Sequence, residues 1–317
     1  MSATAHALLI RAGPGVSAWT ALPDRDRALL LWLVQGDVVT AELAALLAHG
    51  HRRIAQRRLA RLRDYGLLAG FWAANRQRPR GRYAYALTKI ARAQLERLVW
   101  PRGKPKLDEG AIETVSPIIH QLATHDVFMA FLRAADPGAE IGLAGWVPER
   151  ALVRLTGSGY LRPDALAIVR HGEAMIVLFI ERDLGTERGS VLVDKVRRYR
   201  NMYAREKEPK ALHVGIVVDS QRRAHAVRRI LRATEAKIDI ARAIRVWVIT
   251  EAELTADPHG AVWISPAVDA VRTIDLEPHP IDEPWPILSP LCLATPDALD
   301  ALDERVLSAL PVLAGLR

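Results

Sequence analysis

With 317 residues the chain has room for one to three domains with sizeable cores. Half of its residues are hydrophobic, but no uninterrupted apolar segment is long enough to span a membrane. A single cysteine, Cys292, excludes an internal disulfide and any cysteine-rich zinc site, so a cytoplasmic protein with no membrane partner is expected. The net charge of +8 is uneven: His51 to Lys106 carries 16 Lys and Arg against two acids, Asp64 and Glu96, a local +14 that leaves −6 elsewhere. Such a block suits either a phosphate-binding surface or a solvated basic loop.

Met1 to Leu22 has one basic residue, Arg11, and lacks a signal-peptide layout; residues 1–23 are expected to be a short lead-in. Asp24-Arg25-Asp26-Arg27 opens a helix with Leu29, Leu30, Trp32 and Leu33 as its apolar residues, and acids in a first turn suit the helix dipole. Gly36-Asp37 breaks it. Thr40 caps a short helix, Ala41 to Leu47, and Ala48-His49-Gly50 makes a turn. A third helix is predicted from His51 to Tyr65, stopped by Gly66. At helical spacing Ala55, Arg58, Leu59 and Leu62 share one side, while Arg53, Gln56, Arg57 and Ala60 share the other. An apolar back with an Arg/Gln front is what reading a DNA major groove requires. Arg52, Arg53, Gln56 and Arg57 are therefore the candidate DNA-binding residues of this helix. Strands are predicted over Leu67 to Ala73 and Tyr83 to Leu87. Between them Asn75 to Arg82 forms a basic wing with Arg76, Arg78, Arg80 and Arg82. Thr88 caps a closing helix to about Leu98. Residues 24–100 read as a winged helix-turn-helix for double-stranded DNA; a winged helix that dimerises or docks a protein is the alternative.

Pro101 to Pro117 is polar and punctuated by Pro and Gly, which suits a linker. Ile118 to Ala135 is predicted as a helix, apolar on much of its circumference. It bears His120, which is more readily a hydrogen-bonded structural residue than a ligand and stands as a secondary candidate. Trp146 to Val153 reads as a first strand. Ala165 to Val169 and Met175 to Ile180 read as a hairpin closed by Arg170-His171-Gly172-Glu173. The second of these runs has no polar alternation, so burial on both faces is expected. A helix over about Arg188 to Arg205, a strand over Leu212 to Val218, a basic helix over Gln221 to Ala236 and a strand over Ile244 to Ile249 follow. Residues 118–250 thus form an α/β (α+β) domain of order α-β-β-β-α-β with a further α-β pair. Residues 251–317 are a Pro-rich extension with a terminal helix over Asp297 to Leu310. No Gly-rich phosphate loop and no Ser/His/Asp signature is present.

Carboxylates gather at the strand ends. Glu181 and Asp183 are two apart on one strand and share a face, and the hairpin brings Asp164 beside them. Like charges repel unless a cation holds them, and oxygen-only ligands suit Mg²⁺ or Mn²⁺. Lys195 lies three residues after Leu192 and four before Tyr199, so its amine can reach the carboxylates from the next helix. Acids at strand ends are also commonly structural. Glu149 is either an accessory ligand or a surface residue, and Glu187 either joins the set or complements a helix dipole. Tyr199 sits on the apolar stripe and reads as core rather than nucleophile.

Pro163-Asp164 opening one strand and Glu181-x-Asp183 closing the next, within that element order, resembles the restriction-endonuclease-like PD-(D/E)xK nuclease fold. The resemblance implies that Asp164, Glu181 and Asp183 bind the metal and that a lysine positions the attacking water. In that fold the lysine stands where this chain has Asp183, and Lys195 would take its part. Trp146-x-x-Glu149-Arg150, Arg162-Pro163-Asp164-Ala165, Glu181-Arg182-Asp183-x-Gly185-Thr186-Glu187 and Lys195-x-x-x-Tyr199 then look like the replication-relaxation family, which includes the MobC class of conjugative relaxases. This likeness covers Asp24 to Ile249. It implies a DNA-binding protein of plasmid replication or mobilisation that nicks double-stranded DNA with Mg²⁺ or Mn²⁺. A second copy of the chain, or other plasmid-transfer or replication proteins, would be further partners. The alternative is a non-enzymatic DNA-binding regulator whose nuclease-like domain is an interaction platform. The missing lysine favours the regulator, and the three acids favour the enzyme.

Overall fold

The computed structural model describes residues 22–36, 38–74, 81–99, 115–134, 141–156, 161–172, 174–185, 187–203, 212–235, 244–260, 263–264 and 270–271. The chain divides into two compact units at Leu122/Ala123. Each mixes helices with a sheet of its own. The expected lead-in, most of the linker, the wing arginines Arg76, Arg78 and Arg80, and the terminal helix lie outside the described residues. Among the described residues no helix is long and apolar enough to cross a membrane.

In the first unit α1 (Asp24–Gly36) is buried almost all round, with Leu29, Leu30, Leu31, Leu33 and Val34 at its centre. Its buried Asp26 is ion-paired with Arg58, which explains why an arginine sits on the inward side of the third helix. A buried carboxylate without such a partner would be costly. Strand β1 (Val38–Thr40) follows, too short to show a period in the sequence. The Thr40 hydroxyl accepts from Leu43 N at 3.2 Å and caps α2 (Ala41–Ala44), which continues as a π-helical turn over Ala45–His49. Gly50 closes that turn at φ +68°, a conformation glycine adopts without strain. His51 caps α3 (Arg52–Asp64) through Nδ1, which accepts from Arg53 N at 3.2 Å. Ala55, Leu59 and Leu62 form the buried side of α3, one turn apart as the periodicity requires. Strands β2 (Leu68–Ala73) and β3 (Arg82–Leu87) pair antiparallel, and β1 joins β3 to give the order β1-β3-β2. Helix α4 (Lys89–Val99), capped by Thr88, buries Ala91 and Leu95.

Helix α5 (Val115–Ala134) spans the division between the units. In the second unit its Phe128 stacks on Trp146 with ring centroids 4.8 Å apart. The second sheet has seven strands in the order β10-β9-β8-β7-β6-β5-β4. Strand β4 (Ile141–Pro148) is followed by an unexpected helix, α6 (Glu149–Thr156), and not by a continued strand. Pro148 ends the ladder, and Ala151 and Leu152 supply the helix with its buried side. Strands β5 (Ala165–His171) and β6 (Ala174–Asp183) form the expected hairpin, with Ala165 opposite Ile180 and Gly172 at φ +55° in the turn. Helix α7 (Gly189–Tyr203) then crosses over to β7 (Leu212–Val218), and α8 (Gln221–Glu235) to β8 (Ile244–Thr250), both strands parallel to β6. Strand β6 is therefore central, and Met175 to Ile180 are all buried. Thr250 and Glu253 form a capping box on α9 (Glu251–Ala256), and β9 (Trp263–Ile264) and β10 (Ala270–Val271) complete the sheet. The ring of Trp263 lies against Gly215, where a Cβ would approach it to 2.7 Å.

Candidate functional site

The C-terminal end of β6 carries Glu181, Arg182 and Asp183, all buried at the surface-facing limit of the sheet. Alternation sends Glu181 and Asp183 to one face and Arg182 to the other. Asp164 stands just before β5 and is tied to β6 by main chain and side chain. Its N–H donates to Ile180 O at 3.1 Å, and its Oδ2 accepts from Arg182 N at 2.6 Å. Glu149 N donates to Asp164 O at 3.1 Å, so α6 begins against the same residue.

Glu181 is held from α7. Lys195 Nζ donates to Glu181 Oε2 at 2.9 Å and to Glu187 Oε1 at 2.8 Å, and Tyr199 Oη donates to Glu181 Oε1 at 2.6 Å. Lys195 and Tyr199 are four residues apart on one helical face, which lets one helix supply both donors. Burial, and next the charge of Asp164, push the Glu181 carboxyl up to about 7, with Lys195 and Tyr199 pulling it back. Burial works against the Lys195 charge, but Glu181, Asp164 and Glu187 outweigh it and raise its pKa. Burial and then Glu181 raise the Tyr199 phenol well above its usual range. Tyr199 is fully buried, as the apolar stripe led one to expect, and its ring meets Phe179 edge-on at 5.4 Å.

Asp183 is held by partners outside the acid set. Its Oδ1 accepts from Gly185 N at 2.7 Å and its Oδ2 from Arg223 Nε at 2.6 Å. Arg223, from the first turn of α8, also donates to Glu187 O at 2.7 Å. The charge that was expected to be balanced by an ion shared with Asp164 and Glu181 is balanced by a guanidinium. Among the described residues no group of three or more His, Cys, Asp and Glu side chains is arranged to hold a metal ion. Asp183 is thus a partner of Arg223.

Glu187 joins the set through Lys195, and Glu149 pairs with Arg162 at 3.1 Å. His120 is half-buried on α5, within the first unit. Arg182 and Arg223 were missed by sequence reading. Arg182 is fully buried, donates to Asp183 O at 3.1 Å and Val217 O at 2.9 Å, and is ion-paired with Glu251. Arg223 lies 40 residues from its carboxylate, and no local spacing marks it. In the first unit Arg52, Arg53, Gln56 and Arg57 are exposed on α3, and Arg82 is half-buried at the start of β3.

Residues 30–218 match the family model described as replication-relaxation. No curated protein and no solved structure matches the chain.

Proposed function

Because the chain belongs to the replication-relaxation family, we propose that it binds duplex DNA in plasmid replication or mobilisation and nicks one strand there, in the manner of the MobC-class relaxases. In this reading the first unit is a winged helix whose α3 enters the major groove with Arg53, Gln56 and Arg57 forward. The second unit is a restriction-endonuclease-like domain whose reaction centre is Asp164, Glu181 and Lys195. The observation that carries the reading is the Lys195 amine, bridging Glu181 and Glu187 beside Asp164 at the end of a buried strand.

The site's chemistry fits Mg²⁺ or Mn²⁺ at two carboxylates. Glu181 is pushed to about 7 by burial first and then by the charge of Asp164, against the pull of Lys195. Mg²⁺ commonly takes only one or two carboxylates and completes its shell with waters and substrate phosphate. Asp164 and Glu181 would hold the ion, and Asp183 falls outside the set. When bound, the ion supplies Lewis-acid polarisation of the scissile phosphodiester. Lys195 places its charge where negative charge develops on the phosphate, and Glu187 and Tyr199 hold Lys195 and Glu181 in position.

The test is nicking of supercoiled plasmid carrying the neighbouring locus, in Mg²⁺ or Mn²⁺. Asp164→Ala and Lys195→Met should abolish nicking and leave duplex binding unchanged. One observation favours a second reading, a non-enzymatic regulator: Arg223 neutralises Asp183, and both oxygens of Glu181 are engaged within the fold. A wild-type chain that binds the locus but nicks nothing in either ion would establish that second reading.

A further inference from the structure

Strands β2 and β3 pair Trp72 with Tyr83 and Gly70 with Tyr85 across the ladder, so these four residues share one face. At one end this face is closed by Leu68, Leu87 and Tyr85, all buried. At the other end it opens, and Trp72 and Tyr83 are 61% and 41% exposed. Their ring centroids are 6.5 Å apart, and Tyr83 rests edge-on against Tyr85 at 5.1 Å. Both rings lie down over glycine. A Cβ at Gly70 would come within 2.5 Å of the Tyr83 hydroxyl oxygen, and one at Gly81 would collide with the Trp72 indole nitrogen. The missing Cβ atoms leave room for these rings, whose planes are tilted 45° to one another.

The surroundings are cationic. Arg63 hydrogen-bonds the Tyr83 hydroxyl, pairs with the exposed Asp64 at 3.2 Å and keeps 45% of its side chain exposed. It lies seven residues after Gln56 on α3, two helical turns along the same exposed stripe. This surface sits within the stretch of local charge +14 between His51 and Lys106. A protein partner for so basic a stretch would have to be acidic, and two exposed aromatic rings do nothing to bind carboxylates. Paired bases hide their faces in the duplex stack, whereas an unpaired base presents a face that an aromatic ring can cover, and its phosphate seeks a guanidinium.

We infer that Trp72 and Tyr83, with Arg63 at their edge, form a stacking site for unpaired DNA bases, alongside the duplex-facing stripe of α3. The inference rests on the reading of the first unit as DNA-binding. The chain would then recognise duplex adjoining an opened strand, the form DNA takes where a duplex is melted.

The full-length chain is titrated with a blunt duplex and with the same duplex bearing a thymidine overhang of about eight nucleotides, at fixed salt. The overhang should bind about 5- to 150-fold more tightly, the span that base stacking supplies. Trp72→Ala and Tyr83→Ala should each remove most of that gain and leave the blunt-duplex affinity unchanged, and Trp72→Phe should keep it. Equal affinity for the two DNAs in the wild type would overturn the site. So would an equal loss on both DNAs in Trp72→Ala at unchanged thermal stability. A concentration-dependent dimer dissolved by Trp72→Ala, without overhang preference, would give the surface to a second copy. Failure to bind blunt duplex with retained overhang binding would sink the winged-helix reading and leave this one standing.

Discussion

Arg52, Arg53 and Arg57 face solvent on α3 with no ion pair among the described residues, whereas Arg182, Lys195 and Arg223 around the end of β6 are each tied to a carboxylate. The same kind of side chain thus does opposite things in the two units. An exposed cation loses little hydration in the folded state and remains open to a phosphate. A buried cation has been stripped of water, and its partner's position becomes part of the fold. The contrast predicts that deletions near β6 will first be felt as lost stability, and deletions of Arg52, Arg53 or Arg57 as lost binding.

The largest effect should come from breaking the Arg182 pair. Glu251→Ala leaves a fully buried guanidinium without its carboxylate and should cost about 3 kcal/mol of unfolding free energy, read from denaturant midpoints. A loss below about 1 kcal/mol would mean that the carbonyls of Asp183 and Val217 suffice for Arg182.

Next in size is a pH effect at Glu181. Its carboxyl rises from 4.5 in the unfolded chain to about 7 in the fold, so the folded state holds this proton more tightly. This contribution to stability is fully present below pH 4.5 and is lost as pH rises to about 7, up to about 3 kcal/mol in all. Asp164→Asn removes the second cause of the shift and should flatten that slope in urea midpoints taken between pH 5 and 8. An unchanged slope would leave burial as the sole cause.

On α3, Arg53→Ala and Arg57→Ala should leave unfolding untouched. Each should weaken binding to the cognate duplex by about 1–3 kcal/mol if it contacts a base. If it contacts only phosphate, the salt slope should fall by about one unit and sequence preference should be unchanged. The smallest effect belongs to the exposed Arg197–Asp194 pair at 2.6 Å, where Asp194→Ala should shift stability by less than about 0.5 kcal/mol. A larger cost there would show that exposure alone does not separate the two kinds of charge.

The hairpin Ala165 to Asp183 was readable from two apolar runs flanking a Gly-containing turn, α2 from its Thr40 cap, and α3 and the crossover helices from their helical period. Strand β1 was not, since three residues repeat nothing. Helix α6 was read as strand because the apolar run through Trp146 and Val147 hides the stop at Pro148. The capping box of Thr250 and Glu253 did carry a signal for α9 that went unused. At the site, Lys195 was reachable by helical spacing from Leu192 and Tyr199. The partner of Asp183 was not, because Arg223 reaches it only through the parallel pairing of β6 with β7, a contact no local pattern encodes. Alternation along β6 gives Glu181 and Asp183 one face, and Asp164 is tied to that strand at Arg182 N. What the spacing could not reveal is that a guanidinium would claim one of them.

The mixed pairing of β6 also orders events in time. Its antiparallel partner β5 is joined by a tight turn, while its parallel partner β7 arrives only after the α7 crossover has closed. Short loops close early, and long ones wait on a larger entropy loss. As the second unit folds, Asp164 and Glu181 are thus brought together by the hairpin before Lys195 swings in with α7, and Asp183 forms its place in β6 before α8 delivers Arg223. The hairpin must be assembled against the mutual repulsion of its own acids. Burial has not yet raised Glu181 at that stage, so only a buffer near its ordinary carboxylate value of 4.5 lightens the repulsion before a cation arrives.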